Sequence, residues 1–156
     1  KFMMNGAITL GTLDGANVEI REAVGGDANC VIFGLKAEEV LNYYATGTYS
    51  AWDEYNTDPD VHFVVDQLTD GTYGDFHSLF DYLVHENDEF FILKDFRAYA
   101  KAHEDVYRRY KDRYHWLRSS AVNIANSGGF SSDRTIEEYA KEIWGAKPPS
   151  SPTPVE

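Results

Sequence analysis

The sequence predicts an α/β fold, with a parallel βαβ start and a mostly helical remainder. Two short apolar runs carry the strands. Ala7-Ile8-Thr9-Leu10 and Cys30-Val31-Ile32-Phe33 are rich in β-branched or bulky apolar side chains, and each is closed by a glycine, Gly11 or Gly34, as buried strands are. Between them, Ala16, Val18, Ile20, Ala23 and Val24 mix with polar residues in the manner of a helix. Strand, helix and strand at this spacing make a right-handed parallel βαβ unit. From Ala37 onward the apolar residues recur at helical spacings.

The elements follow in order. Ala7 to Leu10 is the first strand. Asp14 is available to cap the helix after it, and Gly25-Gly26 ends that helix. Cys30 to Phe33 is the second strand. Two strands alone leave faces and edges unpaired, so more sheet or another molecule is expected to cover them. A helix from Ala37 puts Val40, Leu41 and Tyr44 on one face until Thr46-Gly47-Thr48 breaks it. Ser50 caps a brief Ala51 to Tyr55 segment. Asp58-Pro59 then opens a helix with Val61, Val64, Val65 and Leu68 at i, i+3, i+4 and i+7, ending at Asp70-Gly71.

Phe76, Leu79, Phe80, Leu83 and Val84 form one face of the next helix, while Phe90 to Leu93 reads equally as strand or buried helix. Asp95 is expected to cap a long amphipathic helix that lays Phe96, Tyr99, Ala100, His103, Val106, Tyr107 and Tyr110 against the core. Another helix runs through Trp116, Leu117, Ala121, Ile124 and Ala125 to a stop at Gly128-Gly129. Ser131-Ser132-Asp133 offers an N-cap to a last helix, with Ile136, Tyr139, Ala140 and Ile143 inward. The tail, 146–156, is Pro- and Ser-rich and reads as a disordered linker.

A chain of 156 residues suits one core, and 43% hydrophobic with 15% aromatic content argues against disorder. The formal net charge of -12 disfavours nucleic acid and anionic membrane surfaces as partners. No run approaches the ~18 consecutive apolar residues of a spanning helix, and the opening Lys1 to Asn5 is too soon polar for a signal peptide. The single cysteine, Cys30, lies in an apolar run with no disulfide partner, which fits a reducing cytosol and a buried, inert thiol. His62, His77, His85, His103 and His115 show no metal-ligand spacing, so no metal is expected. Gly6, Gly11 and Gly15 spell neither a dinucleotide fingerprint nor a P-loop. Asp14 and Glu19 are read as helix-start carboxylates, each stabilising by ~0.5 to 1 kcal/mol, rather than as a catalytic pair. Asn5, Asp14 and Asn17 stay as secondary site candidates beside Lys1.

Lys1-Phe2-x-x-Asn5-Gly6, followed by Gly11-Thr12-Leu13-Asp14-Gly15-Ala16-Asn17-Val18-Glu19, resembles the segment of glycogen and maltodextrin phosphorylases around their cofactor lysine. A second block, Ser127 to Ile136 followed by Glu138-Tyr139-Ala140 and Ile143-Trp144, is similar to the end of the same enzymes. The resemblance runs from Lys1 to about Trp144. It is strongest at both ends and weakest between Ala45 and Asp95, where pattern and length alone agree.

In that family the lysine matching Lys1 holds pyridoxal phosphate as an imine, directly after a glycine-rich segment that this chain does not contain. The resemblance therefore implies a C-terminal piece, with Lys1 as both catalytic and cofactor-binding residue. Lysines that condense with an aldehyde are usually activated by desolvation or a cationic neighbour. The implied fold is a partial Rossmann-like domain of the GT-B type: 1–126 in the C-terminal catalytic domain and 127–145 as a helix crossing back to the N-terminal domain. The implied reaction is phosphorolysis of terminal α-1,4-linked glucosyl units to α-D-glucose 1-phosphate, with retention of configuration. The cofactor's 5′-phosphate trades a proton with inorganic phosphate.

Implied partners are an α-1,4-glucan, inorganic phosphate, the rest of the polypeptide and, for the full-length enzyme, a second copy in a homodimer. The implied location is cytoplasmic. This chain alone is expected to be inactive. The competing reading is a non-catalytic α/β module that keeps the motif without the chemistry. A pyridoxal-dependent aminotransferase is disfavoured because neither flank of Lys1 resembles one.

Overall fold

The computed structural model describes residues 1–146. The tail read as a linker lies, after Ala146, outside the described residues. The chain opens with a 3₁₀ turn, Met3–Asn5, closed by Gly6 at φ 78°. Strand β1, Leu10–Thr12, leads into helix α1, Ala16–Ala23, and then strand β2, Val31–Phe33. The two strands are parallel, with Leu10 opposite Val31, Gly11 opposite Ile32 and Thr12 opposite Phe33. The βαβ start is therefore realised.

Its first strand begins later than the apolar run Ala7 to Leu10. The reason is pairing: Val31 N donates to Thr9 O at 2.8 Å and the ladder runs forward from there. A strand is defined by its partner, and Ala7 and Ile8 have no partner strand among the described residues.

Asp14 does not cap α1. Gly15 stands before the first turn at φ 47° and ψ −137°. Asp14 Oδ2 instead accepts from Thr12 Oγ1 at 2.9 Å. The Gly25-Gly26 stop holds, with φ of 78° and 92°.

The helical remainder comprises α2, Ala37–Thr46; α3, Ala51–Thr57; α4, Pro59–Asp66; α5, His77–Phe80; α6, Ile92–Lys111; α7, Arg113–Asn126; and α8, Ser132–Glu138. The expected caps at Ser50, Asp58 and Ser131 each accept a backbone amide of their own helix. One π-helical turn, Asp81–His85, continues α5, and another, Tyr139–Ile143, continues α8.

Phe90 to Leu93 is neither strand nor simple helix. Phe91 sits buried in the left-handed region at φ 58°, and α6 starts immediately after it. Asp95 is consequently inside the first turn rather than at the cap. Asp88 Oδ2 accepts from Leu93 N at 2.7 Å and so starts the helix early. Asp95 Oδ1 is used across the fold, accepting from Leu35 N at 2.8 Å. A Cβ on Gly34 would collide with that carboxylate, so the close seating of α6 on the end of β2 requires glycine there.

The main core joins α3, α4, the π turn and the start of α6 through Ala51, Tyr55, Val61, Val65, Leu83, Val84 and Leu93. A smaller cluster, Met3, Val24 and Cys30, is covered by Ile20, Ile32 and Val122 of α7. The expected inward face of α6 is corrected: Leu93 and Ala102 are buried, whereas Tyr99, Tyr107 and Tyr110 are exposed. On α8 and the π turn that continues it the apolar residues are likewise uncovered, with Ile136 54%, Ile143 68% and, just after the turn, Trp144 61% exposed. No helix among the described residues is long and apolar enough to cross a membrane.

Candidate functional site

Lys1 stands at the entrance to the 3₁₀ turn, and that turn is fixed from inside. Asn5 Nδ2 donates to the Lys1 carbonyl at 2.8 Å, Asn5 N to Phe2 O at 2.9 Å and Gly6 N to Met3 O at 3.0 Å. Met3 is buried in the smaller core, while Phe2 and Met4 project outward. The result is a cleft of about 530 Å³ whose lining includes Lys1, Phe2, Ile8, Asn17, Ser127 and Phe130. Its walls are mainly apolar, and Lys1 is the one cation among the described residues lining it.

The strand–turn–helix beside the cleft is tied by its own side chains. Asn17 Nδ2 donates to Thr12 O at 2.9 Å, which together with the Thr12–Asp14 bond closes the loop between β1 and α1. Gly11 has a packing role here, since a Cβ would meet Asn17 Nδ2 at 2.6 Å.

Of the sequence candidates, Lys1 and Asn17 line the same cleft, and Asn5 touches it through the Lys1 backbone. Asp14 is outside the cleft lining and serves the turn. Glu19 lines a separate groove with Arg134 and Glu138. Sequence reasoning missed Ser120, whose Oγ donates to Gly6 O at 2.8 Å, and Phe130, which walls the cleft from the far end of the chain. Phe130 lies inside the second quoted block and was within reach of the pattern. Ser120 lies in neither block, and no local signal marks it.

The other chemistry-bearing groups are engaged elsewhere. Cys30 is fully buried and its thiol pKa is raised, first by burial and then by the Asp27 charge. Arg109 lines the cleft between β2 and α6, but its guanidinium is spent on Asp105 and the Asp27 carbonyl. Four histidines lean on nearby aspartates: His62 on Asp66, His77 on Asp75, His85 on Asp81 and His115 on Asp112. Among the described residues, no group of three or more His, Cys, Asp or Glu is placed to hold a metal ion.

The two sequence blocks, more than a hundred residues apart, thus meet at one cleft. A family model described as carbohydrate phosphorylase matches residues 1–146. The chain belongs to the carbohydrate phosphorylase family. Among its relatives, glycogen phosphorylase of Bacillus subtilis (strain 168) is 54% identical over 153 residues, covering 95% of this chain and 19% of that protein. Glycogen phosphorylase of Synechocystis sp. is 46% identical, and the muscle form of Homo sapiens 42%, each over 95% of this chain and 18% of the relative. The chain therefore spans under one-fifth of the length of these phosphorylases, with its Lys1 cleft and its α8 face both inside the matched region.

Proposed function

We propose that this chain is the cofactor-lysine part of an α-glucan phosphorylase, which cleaves terminal α-1,4-linked glucosyl units of glycogen or maltodextrin with inorganic phosphate to give α-D-glucose 1-phosphate. The observation that supports this best is the meeting of the two family-like blocks at the cleft carrying Lys1. In this reading residues 1–126 belong to a Rossmann-like C-terminal domain, and 127–145 cross back toward an N-terminal domain. The rest of the polypeptide covers the edges of the two-stranded sheet, and the full-length enzyme is a cytoplasmic homodimer.

Pyridoxal phosphate fits this cleft on two counts. Lys1 supplies an amine, and the apolar walls from Ile8 and Phe130 suit an aromatic ring. Among the described residues Lys1 is the one cation lining the cleft, and Thr9, Asn17 and Ser127 add polar groups to its wall. When bound, the cofactor supplies a phosphate group able to exchange a proton with inorganic phosphate. Lys1 would anchor it, and the Asn5-closed turn would orient Lys1.

Borohydride reduction of the full enzyme followed by peptide mapping tests the reading: the label is expected on Lys1. Lys1→Ala is expected to abolish phosphorolysis. Wild-type activity in a Lys1→Ala enzyme free of cofactor would end this proposal.

A further inference from the structure

We propose that Ser120 of α7 is a positioning residue for Lys1, an inference that rests on the reading of Lys1 as the cofactor anchor. The bonds inside the turn set its shape: Asn5 N to Phe2 O, Gly6 N to Met3 O, Ala7 N to Phe2 O, and the Asn5 side chain to the Lys1 carbonyl. They do not set where the turn sits on the fold.

Contacts with the rest of the fold do that, and two of them differ in kind. Met3 is buried against Val24 and Cys30, but methionine is flexible and adapts to its surroundings, so it holds the turn down without fixing its register. The second contact is directional. Ser120 Oγ donates to Gly6 O at 2.8 Å, across 114 residues of sequence.

Gly6 makes that bond reachable. At φ 78° it turns the backbone in a way other residues rarely adopt, and a Cβ there would collide with Ser120 Oγ and come within 3.3 Å of Ile124 Cδ1. The turn therefore lies directly on α7 with no intervening side chain. One helical turn further along α7, Asn123 Nδ2 donates to Asn29 O at 2.8 Å and pins the helix to the entrance of β2. Residues three apart share a helix face, so a single face of α7 registers both the Lys1 turn and the second strand. Losing the Ser120 hydroxyl removes that anchor, so the turn shifts and its internal bonds open more often, and the Lys1 amine shifts with it.

The test uses the full enzyme with Ser120→Ala and Ser120→Thr. In Ser120→Ala, the amides of Asn5, Gly6 and Ala7 are expected to exchange roughly five- to tenfold faster, the change one lost hydrogen bond produces. Those of Val61 and Val65 should keep their wild-type rates. The circular-dichroism band of the bound cofactor, which reports its orientation, is expected to lose intensity, and kcat to fall with KM for glucan unchanged. Ser120→Thr, which keeps the hydroxyl, should restore all three. Wild-type exchange and an unchanged dichroic band in Ser120→Ala would overturn the positioning role while a borohydride label on Lys1 left the anchor reading standing. A wild-type enzyme that takes no label at Lys1 would overturn both.

Discussion

The stretch from Tyr49 to Phe96 and the stretch from Lys1 to Gly34 solve the same packing problem to different degrees. The first closes on itself: α3, α4, the π turn and the start of α6 bury seven residues in one cluster, with Tyr49, Leu68, Phe80, Tyr82 and Phe96 packed around it. The second gathers three, Met3, Val24 and Cys30, into its cluster, with Val122 from α7 packed against them. Its sheet has two strands, and Phe2 and Met4 face outward beside Lys1. The middle region is a stability element built from nearby sequence. The start carries the candidate cleft, relies on distant sequence and presents surface. The candidate chemistry sits in the less closed region, where an amine and an open cleft remain available.

Core truncation gives the largest test of this contrast. Leu83→Ala should cost about 2 to 4 kcal/mol, because it is buried in the larger packed cluster. Val24→Ala, in the smaller cluster, should cost about 1 kcal/mol, since fewer atoms are removed and half-exposed neighbours can relax into the gap. Urea denaturation of the two variants and the parent measures both. Equal losses would break the comparison.

A smaller effect is expected at the tie that completes the weaker region. Asn123 is fully buried and donates to Asn29 O and to Ser119 O. Asn123→Ala leaves the Asn29 carbonyl without that donor and should cost about 1 to 2 kcal/mol. Amide exchange should rise at Val31, whose own bond to Thr9 O opens the ladder, and remain unchanged at Val65. A uniform rise in both regions would mean that they unfold as one unit.

The same contrast explains what could be read from the sequence. The caps at Ser50, Asp58 and Ser131 were legible because a cap is an interaction within four residues. So was the stop at Gly47, which adopts the left-handed conformation that closes α2. The start of β1 was not, because the pairing of Val31 with Thr9 decides it. Asp14 was misassigned because Thr12, two residues away, competes for its carboxylate. Asp95 was misassigned because Asp88 begins α6 early and Leu35, sixty residues back, claims the Asp95 oxygen. The tyrosine face of α6 has helical periodicity, but periodicity names a face without saying what covers it. Lys1 and Asn17, both in the first motif, do line one cleft. The bond from Ser120 to Gly6 was not legible, since nothing local marks a contact across 114 residues.

The smallest expected effect is electrostatic and again separates the regions. Asp58 and Asp27 both have pKa values below the ordinary carboxylate range, the first held down mainly by its hydrogen bond from Arg97, the second by that from Arg21. A carboxyl whose folded pKa is depressed stabilises the fold above its unfolded pKa, near 3.9, and that contribution is lost as pH falls through the folded value. Both aspartates should therefore weaken the fold on acidification below about pH 4. Their surroundings set the order. The Asp58 side chain is 18% exposed, receives two bonds from Arg97 and also caps α4 through Asp60 N and Val61 N. The Asp27 side chain is 61% exposed, so solvent screens its pair with Arg21. Asp58→Asn should therefore flatten the acid limb of a stability-against-pH curve more than Asp27→Asn does. Arg97→Gln should reproduce most of the Asp58→Asn effect, because the Arg97 hydrogen bond is the leading cause of the shift. Denaturation midpoints measured between about pH 6 and pH 2.5 bracket the transition. A larger flattening from Asp27→Asn would place the acid-sensitive contact in the start of the chain and reverse the assignment of stability to the middle region.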